Sequence, residues 1–348
     1  MENIDLEKFN TRTDLAYEAV TNTDQANLPD ILVERSENQG INVIKTTIGP
    51  ASANIVHKKP GLYYTVEIGN GDFHDNDTYE RIEDVLRQVI EEVIAEEGMT
   101  GKRCLIVGLG NINVTPDSLG PYVLDNVIVT RHLFQLGTMS DDFSEVSAIS
   151  PGVMGTTGIE TFDIINAVKN EINVDYIIAI DALAASSIAR VNKTIQVTNT
   201  GISPGSGVGN KRKELSKETT GIPVIAIGVP TVVDAVTITN ETINYLLKFL
   251  ANEYRGDTPR ANALTGGQRL PLNYDEVKAP EDEMKQHFLG KIGLLSDENK
   301  RALIAEVLTP NGYNMMVTPK EIDADVEDLA KIISGALDQA LHKAVNHS

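Results

Sequence analysis

Through the middle of the chain, short and continuous apolar runs alternate with stretches in which apolar residues recur at helical spacing. The first pattern is typical of strands buried on both faces, and the second of helices that cover a sheet. The predicted strands are residues 104–107, 146–149, 176–180, 194–197 and 224–228. The predicted helices are residues 118–133, 158–170, 181–191 and 240–252. This alternation predicts an α/β fold with a mainly parallel twisted sheet and helices on both faces.

The part of the chain before residue 104 has a different pattern. Two β-rich runs, GINVIKTTI from Gly40 and GLYYTVEIG from Gly61, are separated by turn residues and predict two additional strands. An apolar stripe from Ile82 to Ile94 predicts an amphipathic helix over residues 78–97. Residues 1 to about 37 are polar and acid-rich, with one amphipathic fragment from Leu15 to Val20, so we expect a mobile N-terminal segment there.

The C-terminal third begins with a polar tract and returns to helix. The tract around residues 253–281 contains prolines and a Gly-Gly pair, which predicts a mobile surface loop. Ser296 is placed to cap a helix through Val307. The four residues from Thr318 read as a capping box with proline in the first turn, ahead of a last helix to about Val345.

The charge of the chain argues against a nucleic-acid partner. Fifty acidic residues against 30 basic ones give a net charge of -20, and a protein that binds nucleic acid normally carries a basic face. The compact basic cluster consists of Lys211, Arg212, Lys213 and Lys217. We interpret it as a solvated surface turn.

The cysteine content and the termini bear on the compartment. Cys104 is the one cysteine, so no internal disulfide forms, and we expect a reducing, cytoplasmic environment. The acidic N-terminus lacks the basic and apolar segments of a secretory signal. No run approaches the roughly 20 apolar residues that a membrane-spanning helix requires. We expect neither export nor a membrane partner.

Two aspartates stand where predicted strands end. Asp117 follows the strand at residues 104–107 after a glycine turn, and Asp181 directly follows the strand at residues 176–180. Taken singly, each is explained as a helix cap. Taken together, they follow two strands of one predicted sheet, and the carboxyl ends of parallel strands are where α/β sites assemble. We therefore expect the two aspartates to meet over one edge of the sheet.

An aspartate pair has a chemistry of its own. Two carboxyl groups that share a site do not both ionise readily, so the pair can divide acid and base roles. One carboxylate would activate water while the other, protonated, polarises the scissile carbonyl of a peptide. Which of Asp117 and Asp181 holds the proton stays open, because the titration belongs to the pair.

Two glycine-rich segments resemble nucleotide-binding or serine-hydrolase motifs, but each lacks residues that the motif requires. Gly108 and Gly110 follow a strand, but Asn113 stands where a dinucleotide fingerprint needs its third glycine. The segment SPGSGVGNKRK lacks the Gly-Lys-Ser/Thr ending of a phosphate loop. Around Ser206, Pro204 and Val208 stand at the two positions where a serine-hydrolase elbow needs glycines. We interpret both segments as turns that shape a substrate cleft. The predicted cleft residues are Gly108, Gly110, Asn111, Gly205, Ser206, Gly207, Asn210, Lys211 and Arg212.

The histidines show no pattern of a metal site. No two of the six have the helical spacing of a zinc motif. The sequence therefore predicts no metal and no cofactor.

At these residues the chain resembles the germination proteases of spore-forming bacteria. The segments GLGN, NVTPDSLGP, SPGVMGTTGIET, IAIDALAA and SGVGNKRKELS stand in the family's order, and the resemblance covers nearly the whole chain. It implies a fold akin to that of the hydrogenase-maturation endopeptidases and an atypical aspartic mechanism, with Asp117 and Asp181 at the positions of the family's essential aspartates. It also implies a homotetramer in the forespore or spore core, with small acid-soluble spore proteins as substrates.

The resemblance further implies synthesis as a zymogen. Its propeptide would be Met1 to Asp14, removed by self-cleavage between Asp14 and Leu15, and residues 15–348 would form a single peptidase domain. One position departs from the family: Ser203 stands where family members carry a histidine. That departure speaks further against a metal and leaves the two aspartates untouched.

Two alternatives remain open from the sequence. The chain could be a non-catalytic spore protein that binds small acid-soluble proteins, or a metal-assisted maturation peptidase. Discrete fragments of such a substrate would argue against the first, and activity that survives a chelator would argue against the second.

Overall fold

The computed structural model describes residues 13–69, 75–203, 213–255, 277–308 and 315–345. Contacts group the described residues into two compact units, one of residues 13–233 and 318–345 and the other of residues 234–317. The single peptidase domain over residues 15–348 stays a prediction. Among the described residues, no helix is long and apolar enough to cross a membrane.

The elements have the following bounds. The strands are β1 Ile31–Asn38, β2 Ile41–Ile48, β3 Gly61–Glu67, β4 Cys104–Gly108, β5 Val146–Ile149, β6 Tyr176–Ala185, β7 Thr194–Thr198, β8 Val224–Asp234 and β9 Met316–Val317. The helices are α1 Ala16–Thr21, α2 Pro50–Val56, α3 Asn76–Glu96, α4 Leu119–Leu124, α5 Arg131–Gln135, α6 Met154–Thr157, α7 Thr161–Ile172, α8 Lys217–Thr220, α9 Ala235–Arg255, α10 Asp282–Leu289, α11 Asp297–Leu308 and α12 Ile322–Leu341.

The first eight strands lie side by side in the order β1-β2-β3-β7-β8-β6-β4-β5. The group formed by β8, β6, β4 and β5 is parallel. From β8 outward, β7, β3, β2 and β1 pair antiparallel. The predicted α/β fold with a mainly parallel central sheet and additional strands is confirmed.

Both faces of the central strands are covered, which explains their continuous apolar sequences. Every residue of β4 is buried. Cys104 and Ile106 pack in one cluster with α3 and α12, while Leu105 and Val107 pack in another with α7. Because side chains alternate between the faces of a strand, one apolar run fills two cores.

The helix predicted over residues 78–97 is α3, and its apolar stripe is buried as the spacing requires. Its N-cap is Asp75, whose carboxylate accepts a hydrogen bond from the Thr78 amide at 3.2 Å. In the smaller unit, Ser296 accepts a hydrogen bond from the Asn299 amide at 3.2 Å, which confirms the predicted cap of α11.

The prediction of a helix over residues 181–191 is wrong. Strand β6 continues through Asp181 to Ala185, and only a short 3-10 helix, Ile188–Arg190, follows. The cause is a partner from elsewhere in the chain: β8 also runs on past its predicted end and pairs with residues 182–185. The alanine-rich local sequence suits a helix, but pairing with a neighbouring strand decides the outcome.

Two further expectations about helices are wrong. The helix predicted over residues 118–133 is split into α4 and α5, separated by residues 125–130. The capping box at Thr318 does not form, because α12 begins at Ile322 with Glu321 as an N-cap that makes no side-chain cap bond. The Thr318 hydroxyl instead donates to the Thr231 carbonyl oxygen at 2.8 Å.

The expectation of a mobile N-terminal segment is wrong from residue 13 onward. Leu15 and Ala16 are fully buried, and Ala16 packs with Val20 and Ile48 in a small core beneath α1. Strand β1 escaped detection because it is an edge strand whose side chains are mostly exposed, so its sequence has no apolar alternation.

In its described residues the smaller unit is mainly helical. Helix α9 begins at Ala235, five residues before the predicted start, and extends to Arg255. The Asp234 carboxylate caps it by accepting hydrogen bonds from Thr237, at 2.9 Å from the amide and 2.6 Å from the hydroxyl. The predicted mobile loop around residues 253–281 lies mostly outside the described residues.

Candidate active site

The end of β4 packs directly against the start of α4. A Cβ atom on Gly108 would stand 2.4 Å from the Gly120 carbonyl oxygen, and one on Gly120 would stand 2.5 Å from the Leu109 nitrogen. Backbone atoms cannot yield as a flexible side chain can, so both positions require glycine. This contact brings the segment that carries Asp117 back over the end of the strand.

Gly110 makes a second close approach. Its φ of +107° lies in the region that favours glycine, and a Cβ atom there would stand 2.0 Å from the Asp117 carbonyl oxygen. The same position is 3.2 Å from the Asp117 Oδ1 atom. The Asn111 amide donates to the Asp117 carbonyl oxygen at 3.0 Å. The glycine turn therefore holds Asp117 by its backbone.

Asp117 ends a 3-10 turn formed by Thr115–Asp117. The turn closes with a hydrogen bond of 2.7 Å from the Asp117 amide to the Val114 carbonyl oxygen. The hydroxyl of Thr231, a buried residue of β8, donates to the Pro116 carbonyl oxygen at 2.6 Å. The turn is thus tied to the central sheet as well as to Asn111.

Asp181 lies inside β6, at the level where β4 has ended. The Leu109 amide donates to the Ile180 carbonyl oxygen at 2.8 Å, and Asp181 pairs with Gly228 of β8 on the other side. Only 5% of Asp181 is exposed, and its Oδ1 atom accepts a hydrogen bond from the Ala182 amide at 3.0 Å. The side chain is a buried carboxyl group on a central strand.

Residues 109–111 connect the two aspartates. The Leu109 amide is bonded to the residue before Asp181, and the Asn111 amide is bonded to Asp117. The turn Thr115–Asp117 also packs against β6. Asp117 therefore follows the carboxyl end of β4, and Asp181 lies within β6 at the level of that end. Their action as a catalytic pair stays a proposal.

Thr231 is a site residue that sequence reasoning missed. Its hydroxyl holds the Asp117 turn, and its carbonyl oxygen accepts the hydrogen bond from Thr318. The signal was a polar residue in the apolar run VIAIGVPTVV, just beyond the predicted strand at residues 224–228. Thr318 is the residue that the sequence predicts to begin the capping box of α12.

The predicted cleavage bond, between Asp14 and Leu15, lies against β6. The Asp14 amide donates to the Ala184 carbonyl oxygen at 3.0 Å, and the Ala184 amide donates to the Asp14 Oδ2 atom at 2.9 Å. The Ala16 amide donates to the Gln196 Oε1 atom at 2.7 Å. The bond thus lies beside a residue three positions beyond Asp181 on the same strand.

The second glycine-rich segment falls outside the described residues, so its predicted members have no structural account. These are Gly205, Ser206, Gly207, Asn210, Lys211 and Arg212. The segment is closed by a two-residue bridge, in which Ile202 and Leu215 exchange backbone hydrogen bonds of 2.9 and 2.8 Å. Lys213 pairs with Asp163 of α7 at 2.9 Å, and Ser203 is exposed.

Two further groups are relevant to the chemistry. Cys104 is fully buried, and burial raises the pKa of its thiol to about 12, so it is an inert core residue as predicted. Within the described ranges, no three His, Cys, Asp or Glu side chains are grouped as they would need to be to hold a metal ion.

Comparisons with known proteins agree over nearly the full length of the chain. A family model described as germination protease matches residues 10–348. A germination protease of Bacillus cereus is 49% identical over 358 residues, covering 99% of this chain and 97% of the relative. A germination protease of Bacillus anthracis is 48% identical with the same coverage.

One solved structure shows a weaker similarity. A NiFe hydrogenase maturation protease from Thermococcus kodakarensis KOD1 is 21% identical, with a TM-score of 0.26. The match covers 41% of this chain and 80% of that protein's chain. A similarity of this size supports no conclusion about activity.

Proposed function

Because the chain belongs to the germination protease family, and is therefore a protease, we propose that it is the endopeptidase that begins the degradation of small acid-soluble spore proteins during germination. The proposal includes hydrolysis by the pair Asp117 and Asp181, without a cofactor. It also includes synthesis as a zymogen, assembly as a homotetramer, and a location in the forespore or spore core.

One observation supports the mechanism above the others. The Leu109 amide binds the carbonyl oxygen of Ile180, next to Asp181, and the Asn111 amide binds the carbonyl oxygen of Asp117. Positioning of this kind matters because catalytic groups must be held close to their working geometry. Both aspartates lie close to the carboxyl end of β4, and the carboxyl ends of parallel strands are the usual place of α/β active sites.

The two carboxyl groups would share the work of hydrolysis. One, as carboxylate, takes a proton from the attacking water. The other, as carboxylic acid, donates a hydrogen bond to the carbonyl oxygen of the scissile bond and stabilises the charge that develops there. The amine leaves with a proton, and the pair returns to one carboxylate and one acid.

The contacts of Asp14 support self-processing at the Asp14–Leu15 bond. The segment is held against β6 by both backbone and side chain of Asp14, so it occupies the neighbourhood of the proposed site in the intact chain. Removal of residues 1–14 would free the Ala184 amide and carbonyl oxygen. A substrate strand could then pair with β6 there, because exposed strand groups accept an extended peptide readily.

The experiment compares Asp117→Asn and Asp181→Asn with Asp125→Asn, an exposed aspartate at the end of α4. Asparagine keeps the size of the side chain and cannot exchange protons as a carboxyl pair does. We expect the first two variants to lose at least about a thousandfold in cleavage of a small acid-soluble spore protein and in self-processing. The Asp125 variant should keep both activities.

Folding and metal dependence are checked on the same samples. Circular dichroism and size-exclusion chromatography establish that each variant keeps its fold and assembly. Substantial activity in a folded Asp117 or Asp181 variant would contradict the mechanism. Loss of wild-type activity on dialysis against a chelator, with recovery on adding a divalent metal, would favour a metal-assisted peptidase instead.

A further inference from the structure

Glu18 of α1 is a buried carboxylate close to the predicted cleavage bond. Only 3% of the residue is exposed. Its Oε2 atom accepts hydrogen bonds from the Ser186 amide at 2.8 Å and from the Ser186 hydroxyl at 2.9 Å. It also accepts one from the Thr13 hydroxyl. The carboxylate therefore ties α1 to the end of β6.

The other carboxylate oxygen of Glu18, Oε1, can accept a further hydrogen bond. Within the described part of the chain, Oε1 is buried and accepts no hydrogen bond. The Arg190 Nε atom is 3.6 Å away, but the same guanidinium donates to Glu67 at 3.1 Å. A buried carboxylate oxygen without a hydrogen bond is costly, so Glu18 is prepared to take one more donor.

A single hydroxyl separates Glu18 from the backbone nitrogen of Leu15. The Leu15 amide donates to the Thr13 Oγ1 atom at 3.0 Å, and that hydroxyl donates to the Glu18 Oε2 atom. Thr13 lies on the N-terminal side of the Asp14–Leu15 bond, and Leu15 and Glu18 lie on the other. If the bond were cut, the linking hydroxyl would leave with the N-terminal piece.

Hydrolysis would turn the Leu15 nitrogen into a cation. One water is consumed, the bond between the Asp14 carbonyl carbon and the Leu15 nitrogen breaks, and an α-carboxylate forms on Asp14. At neutral pH the amine on Leu15 takes up a proton to become an ammonium with three donors. Before cleavage, the neutral Leu15 amide is linked to Glu18 only through the Thr13 hydroxyl. After cleavage, the charged Leu15 ammonium group can contact Glu18 directly.

We propose that Glu18 is the binding site for the α-ammonium group of Leu15 in the processed chain. The inference rests on the proposed self-cleavage at this bond. The ion pair would keep α1 attached to Ser186, and so to the end of β6, after the hydrogen bonds between Asp14 and Ala184 are lost. Glu18 is thus a positioning residue for the strand that carries Asp181.

The charges around Glu18 are consistent with this exchange. Lys58 donates from Nζ to the Thr13 carbonyl oxygen at 2.8 Å. Burial lowers the pKa of Lys58, and the carboxylates of Asp14 and Glu18 oppose that effect. Departure of Asp14 would leave Glu18 to balance Lys58 and the new ammonium, while Arg190 keeps its shorter ion pair with Glu67.

The test measures the pKa of the Leu15 amine by its rate of acetylation as a function of pH. The processed chain is labelled with acetic anhydride, and the N-terminal peptide is quantified by mass spectrometry. The samples are wild type, Glu18→Gln, and Glu67→Gln, which removes another carboxylate partner of Arg190. We expect Glu18→Gln to raise the rate near pH 7 by at least about tenfold, which corresponds to one pKa unit. Glu67→Gln should leave it near the wild-type rate.

A second comparison needs no variant. The wild-type processed chain is labelled in its folded state and in concentrated urea, and the Leu15 amine should have the higher pKa in the folded state. A folded value at or below the value in urea would overturn the inference, since burial without an ion pair lowers the pKa of an amine. Equal rates in folded wild type and folded Glu18→Gln would overturn it as well.

Failure of this inference is distinguishable from failure of the proposed function. Cleavage of a small acid-soluble spore protein is measured on the same samples. If the processed chain cleaves that substrate and the acetylation rate of the Leu15 amine does not depend on Glu18, only the proposed ammonium site is contradicted. If the chain never cuts between Asp14 and Leu15, both the ammonium site and self-processing are contradicted. Cleavage of the separate substrate still measures peptidase activity in that case.

Discussion

At position 110 the backbone leaves no space for a side chain. The φ of +107° and the carbonyl oxygen of Asp117 at 2.0 Å from a Cβ position act together. Sequence reasoning found this glycine and assigned it to a turn, but it could not show what the turn approaches. In the structure, the turn approaches the backbone carbonyl group of Asp117, the proposed catalytic residue.

Gly110→Ala should therefore damage activity more than stability. We expect cleavage of a small acid-soluble spore protein to fall by about a hundredfold, because a shift of about 1 Å in a catalytic group has that effect. The matched control is Gly137→Ala, which has a φ of +69° and open space around the Cβ position.

The control separates backbone strain from displacement of Asp117. Gly137→Ala carries only the cost of a left-handed backbone, about 1–2 kcal/mol, and should keep its activity. Urea denaturation gives the free energy of unfolding, and the cleavage assay gives kcat/KM. Equal loss of activity in both variants would show that Gly110 does not position Asp117.

Asp181 shows what residue-level reasoning can and cannot provide. The sequence predicts that this acid directly follows a strand, whereas the structure places it within β6, level with the end of β4. Its local structure was assigned wrongly, as a helix start, because the residues that follow it are mostly alanine. The partner that extends the strand, β8, is more than 40 residues away in sequence.

Among the elements, the turn Thr115–Asp117 depends on β8. Its middle carbonyl oxygen, on Pro116, receives the hydroxyl of Thr231 at 2.6 Å. The hydroxyl is buried, so the bond is protected from exchange with water. This contact joins the turn after β4 to a strand two positions away in the sheet.

Thr231→Val tests this contact with a side chain of nearly the same shape. We expect a loss of about 1–2 kcal/mol in the free energy of unfolding, because the Pro116 oxygen loses its donor. Peptidase activity should fall by more than stability does, since the Asp117 turn is loosened. Urea denaturation and kcat/KM are measured together.

Thr65→Val is the matched control within the sheet. Thr65 lies in β3 and is fully buried, and among the described residues its hydroxyl has no hydrogen-bond partner. Replacing that hydroxyl with a methyl group should therefore be neutral or stabilising. A loss at Thr65 as large as that at Thr231 would contradict the role given to the Thr231 hydroxyl.

At the scale of the whole molecule, a buried carboxyl group makes stability depend on pH. Asp338 of α12 accepts a hydrogen bond from the Ile128 amide at 2.9 Å. Burial raises the pKa of Asp338 to about 6. His342, one turn later, is fully buried, which lowers its pKa, and Glu83 of α3 has a pKa raised chiefly by burial.

The direction of the effect follows from proton binding. The folded pKa of Asp338 lies above the unfolded value of about 3.9, so the folded state binds more protons between these values. The stability that Asp338 contributes is fully present below pH 4 and is lost as the pH rises through 6. Above that pH, the charged carboxylate destabilises the fold.

Asp338→Asn should therefore stabilise the protein at high pH. We expect a gain of about 2 kcal/mol in the free energy of unfolding at pH 8, allowing for solvent screening, and roughly half of that at pH 5. Glu327→Gln, an exposed change on the same helix, should alter stability by less than about 0.5 kcal/mol at either pH. A gain that did not shrink on acidification would contradict the assignment.

Features that depend on local pattern can be predicted from the amino-acid sequence alone. The alternation of strands and helices, the stripe of α3, the cap of α11 and the glycines around residue 110 all follow from spacing and residue type. The two aspartates can also be selected from the sequence, because each comes after an apolar run in a predicted parallel sheet.

How those parts meet depends on contacts between segments that are distant in the sequence. The extension of β6 past Asp181 depends on β8, and the burial of Glu18 depends on Ser186, 168 residues away. Asp14 is held by Ala184, 170 residues away. Such bonds leave no local signature, since each partner looks ordinary in its own segment. The glycine turn can be located from the sequence, whereas its hydrogen bond to Ile180 of the distant strand β6 depends on the fold.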